Sequence, residues 1–294
     1  MDRLWETIKA YWSLIKPRQT FLLTFIGVCS MLRADPAVDF FKFFIVLVSL
    51  VLSIAGATAL TNYVDRDIDG VMERTRRRPL PSNEIDPPSK ALYFGTWLVV
   101  ASLIFSLTLN LVFTLFLVWG FLNSVVVYNF LTKRRTPLNI VLASPTGAAP
   151  VLGGWVAVRH LSLEPVLMAA LVVIWIPIHV WSIVLKWRED YAKAGVPMLP
   201  LLLKWGDKLL AYLSIVLVFF SLLMALTLHL APSFLYGLLI LNAILLILSL
   251  GLAVKPTPEK AWLLFKFTSP YVAVVFILWF VSSAVSTWLL VRLC

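Results

Sequence analysis

The sequence predicts an all-α integral membrane protein, nine transmembrane helices in one bundle with a cytoplasmic N-terminus. Three observations carry that expectation. Of the 294 residues, 61% are hydrophobic and only 14% charged, with mean hydropathy +0.92, whereas a soluble domain is about half apolar and a quarter charged. Nine apolar runs are each long enough, at about 20 residues, to span a bilayer. The basic residues then divide unevenly between the two faces that nine spans create.

The runs fall at roughly 14–32, 43–63, 91–109, 111–130, 138–158, 165–185, 209–229, 233–253 and 270–291. The fifth carries Pro145, Gly147, Pro150, Gly153 and Gly154, so a kinked or closely packed helix is expected there. With these boundaries, 21 Lys and Arg residues lie with the N-terminus, and Arg33, Lys42, Arg159 and Arg292 lie opposite. Adding or dropping one span scrambles that asymmetry. The net charge of +10 therefore reads as a topology signal rather than a nucleic-acid footprint. Residues 1–294 read as one polytopic domain in the cell membrane.

Several classes are excluded early. The two cysteines, Cys29 and Cys294, require no disulfide. No C-x-x-C-H or zinc spacing occurs. The N-terminus shows no small-residue cleavage site after a short apolar core, so no removable signal is expected.

Two connections on the basic side are long, 64–90 and 186–208, and both mix acids, bases and prolines. Long loops in compact proteins are usually functional or disordered, and this mixture favours function. The first opens with Asn62, Asp65 and Asp69, spaced to share one helix face. Two carboxylates and an amide form a hard-oxygen site of the kind magnesium takes together with phosphate oxygens. The second loop loosely echoes the first: Lys186 and Asp190 stand four apart, and Pro197 and Pro200 follow as Pro79 and Pro81 do in the first. Lys186 and Asp190 are either an ion pair at a helix end or part of the same pocket. Arg74 and Arg78, and the cluster Lys133-Arg134-Arg135, serve as positive-side anchors, as diphosphate ligands, or as both. His179 lies inside the sixth run, where an ionisable residue is costly and marks function by default. It is either a functional residue or an interhelical hydrogen-bonding residue. His160 and His229 lie near the opposite face and are read as unremarkable.

Magnesium, diphosphate and an apolar helical cavity belong together in ionisation of an isoprenoid diphosphate. The stretch from Asn62 to Asp69, after the second of nine spans, resembles the UbiA superfamily of intramembrane prenyltransferases. Met72-Glu73-Arg74-Thr75 with Arg78-Pro79-Leu80-Pro81, Lys133 to Ile140 leading into Gly147 to Trp155, and Glu189 to Pro200 resemble its haem O synthase branch (protohaem IX farnesyltransferases). The resemblance runs from about residue 14 to 280. It implies that a farnesyl group passes from farnesyl diphosphate to a vinyl group of haem b, with water added and diphosphate released. It also implies Mg2+ as cofactor, with Asn62, Asp65 and Asp69 as its ligands. Asp65, Asp69, Lys186 and Asp190 would be catalytic, Asn62, Arg74, Arg78, Lys133 and Arg134 would bind diphosphate, and His179 would be the ligand to the haem iron. Implied partners are the bilayer and, downstream, haem A synthase or terminal oxidase assembly proteins, with the active site facing the cytoplasm.

One departure stands out. Lys186 occupies the place where most of the superfamily has the first Asp of a second D-x-x-x-D, which argues against two full metal sites. The rival within the superfamily is an aromatic or quinone-precursor prenyltransferase; Lys186 and the Gly147–Trp155 run speak against it. A transporter would hold its site near the midplane, and here the acids sit at helix ends. A non-catalytic haem carrier would use His179 but would not need Asp65 or Asp69.

Overall fold

The computed structural model describes residues 2–293, with side chains described from Leu4 to Ser282. Arg3, Arg292, Cys294 and the end of the ninth run lie outside the described side chains.

The described residues are helical throughout, joined by turns. An amphipathic helix α1 (Asp2–Leu14) leads into α2 (Pro17–Ala34), and α3 (Phe40–Val64) is followed by the short α4 (Arg66–Val71). A long loop reaches α5 (Ser89–Leu107). Helix α6 (Leu111–Phe121) widens into a π-helix over Leu122–Thr132. Then come α7 (Asn139–Ala143), a 3-10 turn (Ser144–Gly147) and α8 (Ala148–Val156). The chain continues with α9 (Leu163–Lys186), α10 (Arg188–Lys193), α11 (Leu199–Leu202), α12 (Gly206–Thr227), α13 (Pro232–Val254) and α14 (Pro258–Leu293).

Seven helical segments among the described residues are long and apolar enough to cross a membrane: Phe40–Val64, Ser89–Leu107, Leu111–Thr132, Leu163–Lys186, Gly206–Thr227, Pro232–Val254 and Pro258–Ser282. The other two expected spans are helical but do not qualify. The first, α2, carries Arg18 and Arg33 near its two ends. The fifth is broken, because Pro145 opens a 3-10 turn between α7 and α8. A proline inside a helix removes a backbone donor and clashes with the preceding turn. The last span starts at Pro258 rather than near 270. Helix α1 was not foreseen; its apolar residues are too few and too scattered to read as a span.

Small residues set the packing. A Cβ on Gly154 of α8 would lie 2.0 Å from the Gly27 carbonyl oxygen of α2. On Gly56 of α3 it would lie 2.8 Å from the Gly95 carbonyl oxygen of α5. Glycine at such crossings lets membrane helices approach closely. The main core runs through α2, α3, α6, α8, α9, α12, α13 and α14 and includes Trp155, Trp175, Trp181 and Trp279. In the last three helices, Tyr271 donates to Asn242 Oδ1 at 2.8 Å, and Asn242 Nδ2 donates to Ser221 Oγ at 2.9 Å. Opposite the site, Arg33 Nε and Trp279 Nε1 both donate to Glu164 Oε1, at 2.8 and 2.9 Å. That joint ties α2, α9 and α14 together.

Candidate active site

Helix α3 ends at Asp65, whose backbone leaves the helix at φ −88, ψ 0. Asn62, Asp65 and Asp69 therefore do not lie on one unbroken helix, as their spacing suggested. The break is shallow, since the Asp69 amide still donates to the Asp65 carbonyl at 2.8 Å, and all three side chains are buried. Helix α9 breaks in the same way at Trp187 (φ −115, ψ 39) before α10. Each polar loop thus begins with a long helix, one non-helical residue and a six-residue helix, which gives the sequence echo a structural counterpart.

The two loops meet. Asp190 Oδ2 accepts the Arg74 backbone N–H at 3.0 Å, and Arg74 Nη2 donates to the Tyr191 hydroxyl at 3.3 Å. Lys186 is not paired with Asp190; its ammonium lies 5.9 Å from the Trp187 ring centroid. The break at Trp187 is the reason, because it takes Lys186 and Asp190 off a common face. Neither the simple ion pair nor a direct contact of Lys186 with the first loop is present among the described contacts.

Cations surround the first acidic cluster. Lys133 Nζ bonds Asp65 Oδ2, and Arg78 Nη1 donates to Asp69 Oδ2 at 2.7 Å. The π-helix positions Lys133: its amide donates to the Tyr128 carbonyl five residues back, at 2.7 Å. Its ammonium consequently stands 5.3 Å from the Tyr128 ring centroid. Burial opposes the Lys133 charge, but the Tyr128 and Asp65 oxygens outweigh it and hold the pKa above the ordinary lysine value. Arg134 grips Asp67 with both terminal nitrogens, at 2.6 and 2.7 Å, on the exposed rim rather than in the buried mouth.

Lys16 is a residue the sequence reading passed over. It joins α1 to α2 in a left-handed backbone conformation, φ 47, and makes no ion pair within 4 Å among the described residues. Burial pulls its ammonium down to about 7 and Arg78 acts in the same direction, while Asp69 and Asp65 oppose them. The available signal was a lysine followed by proline at the mouth of the first apolar run.

Among the described residues no three His, Cys, Asp or Glu side chains group closely enough to form a metal site on their own. At this mouth Asn62 Oδ1 and Asp65 Oδ1 are among the buried oxygens without a partner in the described residues; others, such as Asn129 Oδ1 and Asn139 Oδ1, lie on neighbouring segments. Buried acceptors are rarely left this way, and each calls for an explanation. A hard cation completed by phosphate oxygens suits this donor set. The Asn62 amide is held from its other end, where Nδ2 donates to the Leu14 carbonyl at 2.6 Å.

Below the acids an open, mostly apolar cavity lies between α2, α3, α6 and α8. Thr58, one helical turn before Asn62, lines it with Gln19, Ser124 and Thr146; its deeper wall includes Leu50, Ile54 and Leu117. His179 sits elsewhere, between Trp175 and Phe265, with ring centroids 4.7 and 4.6 Å away. Its Nδ1 meets Thr268 Oγ1 at 2.7 Å. That hydroxyl also lies 2.8 Å from the Phe265 carbonyl, and both contacts are satisfied together when Nδ1 donates, which leaves the lone pair on Nε2.

Residues 21–271 match the model of the UbiA prenyltransferase family. The chain belongs to that family. Curated UbiA relatives include the protoheme IX farnesyltransferase of Desulforudis audaxviator, 43% identical over 289 residues, covering 97% of this chain and 90% of that one. The protoheme IX farnesyltransferase of Thermoplasma volcanium is 36% identical, covering 92% of this chain and 96% of that one. Among solved structures, a UbiA homologue from Aeropyrum pernix superposes with TM-score 0.71 at 17% identity, covering 92% and 98% of the two chains. A UbiA homologue from Archaeoglobus fulgidus bound to GPP and Mg2+ superposes with TM-score 0.64 at 15% identity, covering 92% and 99%. The UbiA fold and the apolar helices together make this an integral membrane protein.

Proposed function

We propose that this chain transfers a farnesyl group from farnesyl diphosphate to a vinyl group of haem b, within nine membrane helices whose N-terminus and active site face the cytoplasm. The observation that carries the reading is the pair of donor-less buried oxygens on Asn62 and Asp65, ringed by Lys16, Arg78 and Lys133 above an apolar cavity. The names of the curated relatives supply the acceptor, and Mg2+ with GPP in the Archaeoglobus fulgidus homologue supports the metal. The 21-to-4 division of Lys and Arg supports the orientation.

Asn62 and Asp65, with Asp69, would hold magnesium. Bound there, it would supply positive charge against that developing on the leaving diphosphate. Lys16, Arg74, Arg78 and Lys133 would bind the diphosphate oxygens, exchanging carboxylate partners for phosphate. Asp190 holds the Arg74 backbone in place. The cavity under Thr58 would take the prenyl tail and keep water from the allylic cation. The C1–O bond breaks with its electron pair leaving on diphosphate, and the vinyl π electrons form the new C–C bond. Water then adds to the resulting cation and loses a proton. His179 Nε2 would bind the haem iron. Lys186 would stand at the rim as a further diphosphate-steering charge.

The test is a product assay with haem b and farnesyl diphosphate, with and without magnesium. Magnesium-dependent haem O supports the proposal. A prenylated phenol in extracts of an expressing strain, without haem O, would favour an aromatic acceptor instead.

A further inference from the structure

Helix α1 has two faces. Ala10 and Leu14 are 2% and 1% exposed and pack in a small core with Ala59, Leu80, Ile85 and Ala91. Tyr11 adds an edge-on contact with Phe94, ring centroids 4.8 Å apart. The other face carries Leu4, Trp5, Ile8 and Trp12, exposed by 67, 58, 49 and 62%. These four residues follow helical spacing, so they form one apolar stripe. Lys9 lies beside the stripe, its ammonium 5.3 Å from the Trp5 ring centroid.

The depth of this stripe follows from what its buried face touches. Ala59 is near the end of α3 and Ala91 near the start of α5, so α1 crosses the bundle at the level where those spans leave the membrane. Other helix ends on that side mark the same level with outward aromatics: Tyr93 on α5, Trp205 and Tyr212 at the start of α12, and Trp262 at the start of α14. Trp and Tyr concentrate at such boundaries. A helix with one apolar face, aromatic anchors and a basic neighbourhood lies in the interface plane of a bilayer. At its C-terminal end, the Leu14 carbonyl receives the Asn62 amide.

We infer that α1 is an interfacial helix that seats Leu4, Trp5, Ile8 and Trp12 in the site-side leaflet, and that its seating orients Asn62 through the Leu14 carbonyl. The occupant of the stripe is the phospholipid surface. Anionic headgroups suit it best, because Lys9 and the exposed Arg18 flank it and Arg76 and Arg77 are exposed on the same side. The coupling clause rests on the proposed role of Asn62 as a metal ligand; the membrane clause does not.

The membrane clause is tested by nitroxide labels at Ile8→Cys, Trp12→Cys and the exposed control Arg77→Cys. The background has both native cysteines replaced by serine, and the protein sits in phosphatidylcholine–phosphatidylglycerol vesicles. Labels at 8 and 12 should collide more with oxygen than with an aqueous nickel chelate, and the label at 77 the reverse. Equal chelate access at all three sites overturns the inference. So does a dipolar signal between labels at position 12 of two chains, which would put a second copy on the stripe. The coupling is tested with the double variant Trp5→Glu, Trp12→Glu, checked for parental thermal unfolding in detergent. In vesicles, calorimetric titration with magnesium plus inorganic diphosphate should show affinity about tenfold weaker, the scale of losing a ligand's supporting partner. Unchanged affinity overturns the coupling. Neither measurement depends on turnover, so their failure and a failure of farnesyl transfer are distinguishable.

Discussion

Asp190 accepts the backbone N–H of Arg74 across 3.0 Å, and this bond fixes the second polar loop to the first. The acceptor is buried and the donor is main chain, so the bond holds a loop shape rather than an arginine head. Replacing Asp190 by Ala leaves the Arg74 amide without its partner, at a cost of about 1–3 kcal/mol. The expected result is a lower unfolding temperature together with loss of turnover, read by thermal melting and a haem O assay on one preparation.

Asp65 is a harder residue to test than its position suggests. Alanine there strands the buried Lys133 ammonium, and breaking a buried pair costs about 3–5 kcal/mol. Asp65→Ala is expected to fold poorly as well as to be inactive. The exchange Asp65→Lys with Lys133→Asp should regain stability and remain inactive, since the acceptor that faces the metal has moved. Recovery of activity in the exchanged pair would show that Asp65 serves only as a partner for Lys133.

Lys16→Met removes a cation that has no carboxylate of its own. We expect the KM for farnesyl diphosphate to rise by about tenfold or more, the scale of one charge-assisted hydrogen bond, with haem affinity unchanged. A kinetic series in prenyl diphosphate at saturating haem reads this. An unaltered KM would place Lys16 outside the diphosphate site.

Thr268 and His179 separate two roles for the histidine. Thr268→Val removes the hydroxyl that fixes the tautomer, while His179→Ala removes the ring. If Nε2 binds iron, His179→Ala should abolish the spectral signature of bound haem, and Thr268→Val should shift it and weaken affinity severalfold. An unchanged haem spectrum in His179→Ala would leave the residue only its bond to α14.

Gly154→Ala probes the crossing of α2 and α8. The new methyl would collide with main chain, not with a flexible side-chain end, so the helices must separate. A loss of about 1–3 kcal/mol, the usual scale for overpacking, should appear in thermal melting.

Much of this was legible from residue types, and what was missed has physical reasons. Hydropathy located the seven long spans because a bilayer imposes length and apolarity together. Residues 138–158 form the kinked segment that their prolines announced, a 3-10 turn at Pro145 dividing α7 from α8. Asp65 and Asp69 stood out because acids are conspicuous beside apolar runs. Their pairing with Lys133 and Arg78 is tertiary, and no spacing encodes it. Lys186 was read with Asp190 on the assumption of an unbroken helix, and the backbone at Trp187 does not satisfy it. Lys16 was hidden because a single lysine near a helix end looks like any positive-side anchor.

The π-helix has a consequence for chain length. With an α-helical repeat, Thr132 would stand nearly above Tyr128, and Lys133, five residues on, would be turned about 140° away from Tyr128. The wider turn uses one more residue to bring Lys133 round to Asp65. Residues 122–132 should therefore accept changes of side chain more readily than changes of number. Removing any one of them lets the backbone relax to the ordinary repeat and swings the ammonium out of register with its carboxylate. A deletion scan through this segment should lose activity at every position, with the spans on either side left intact.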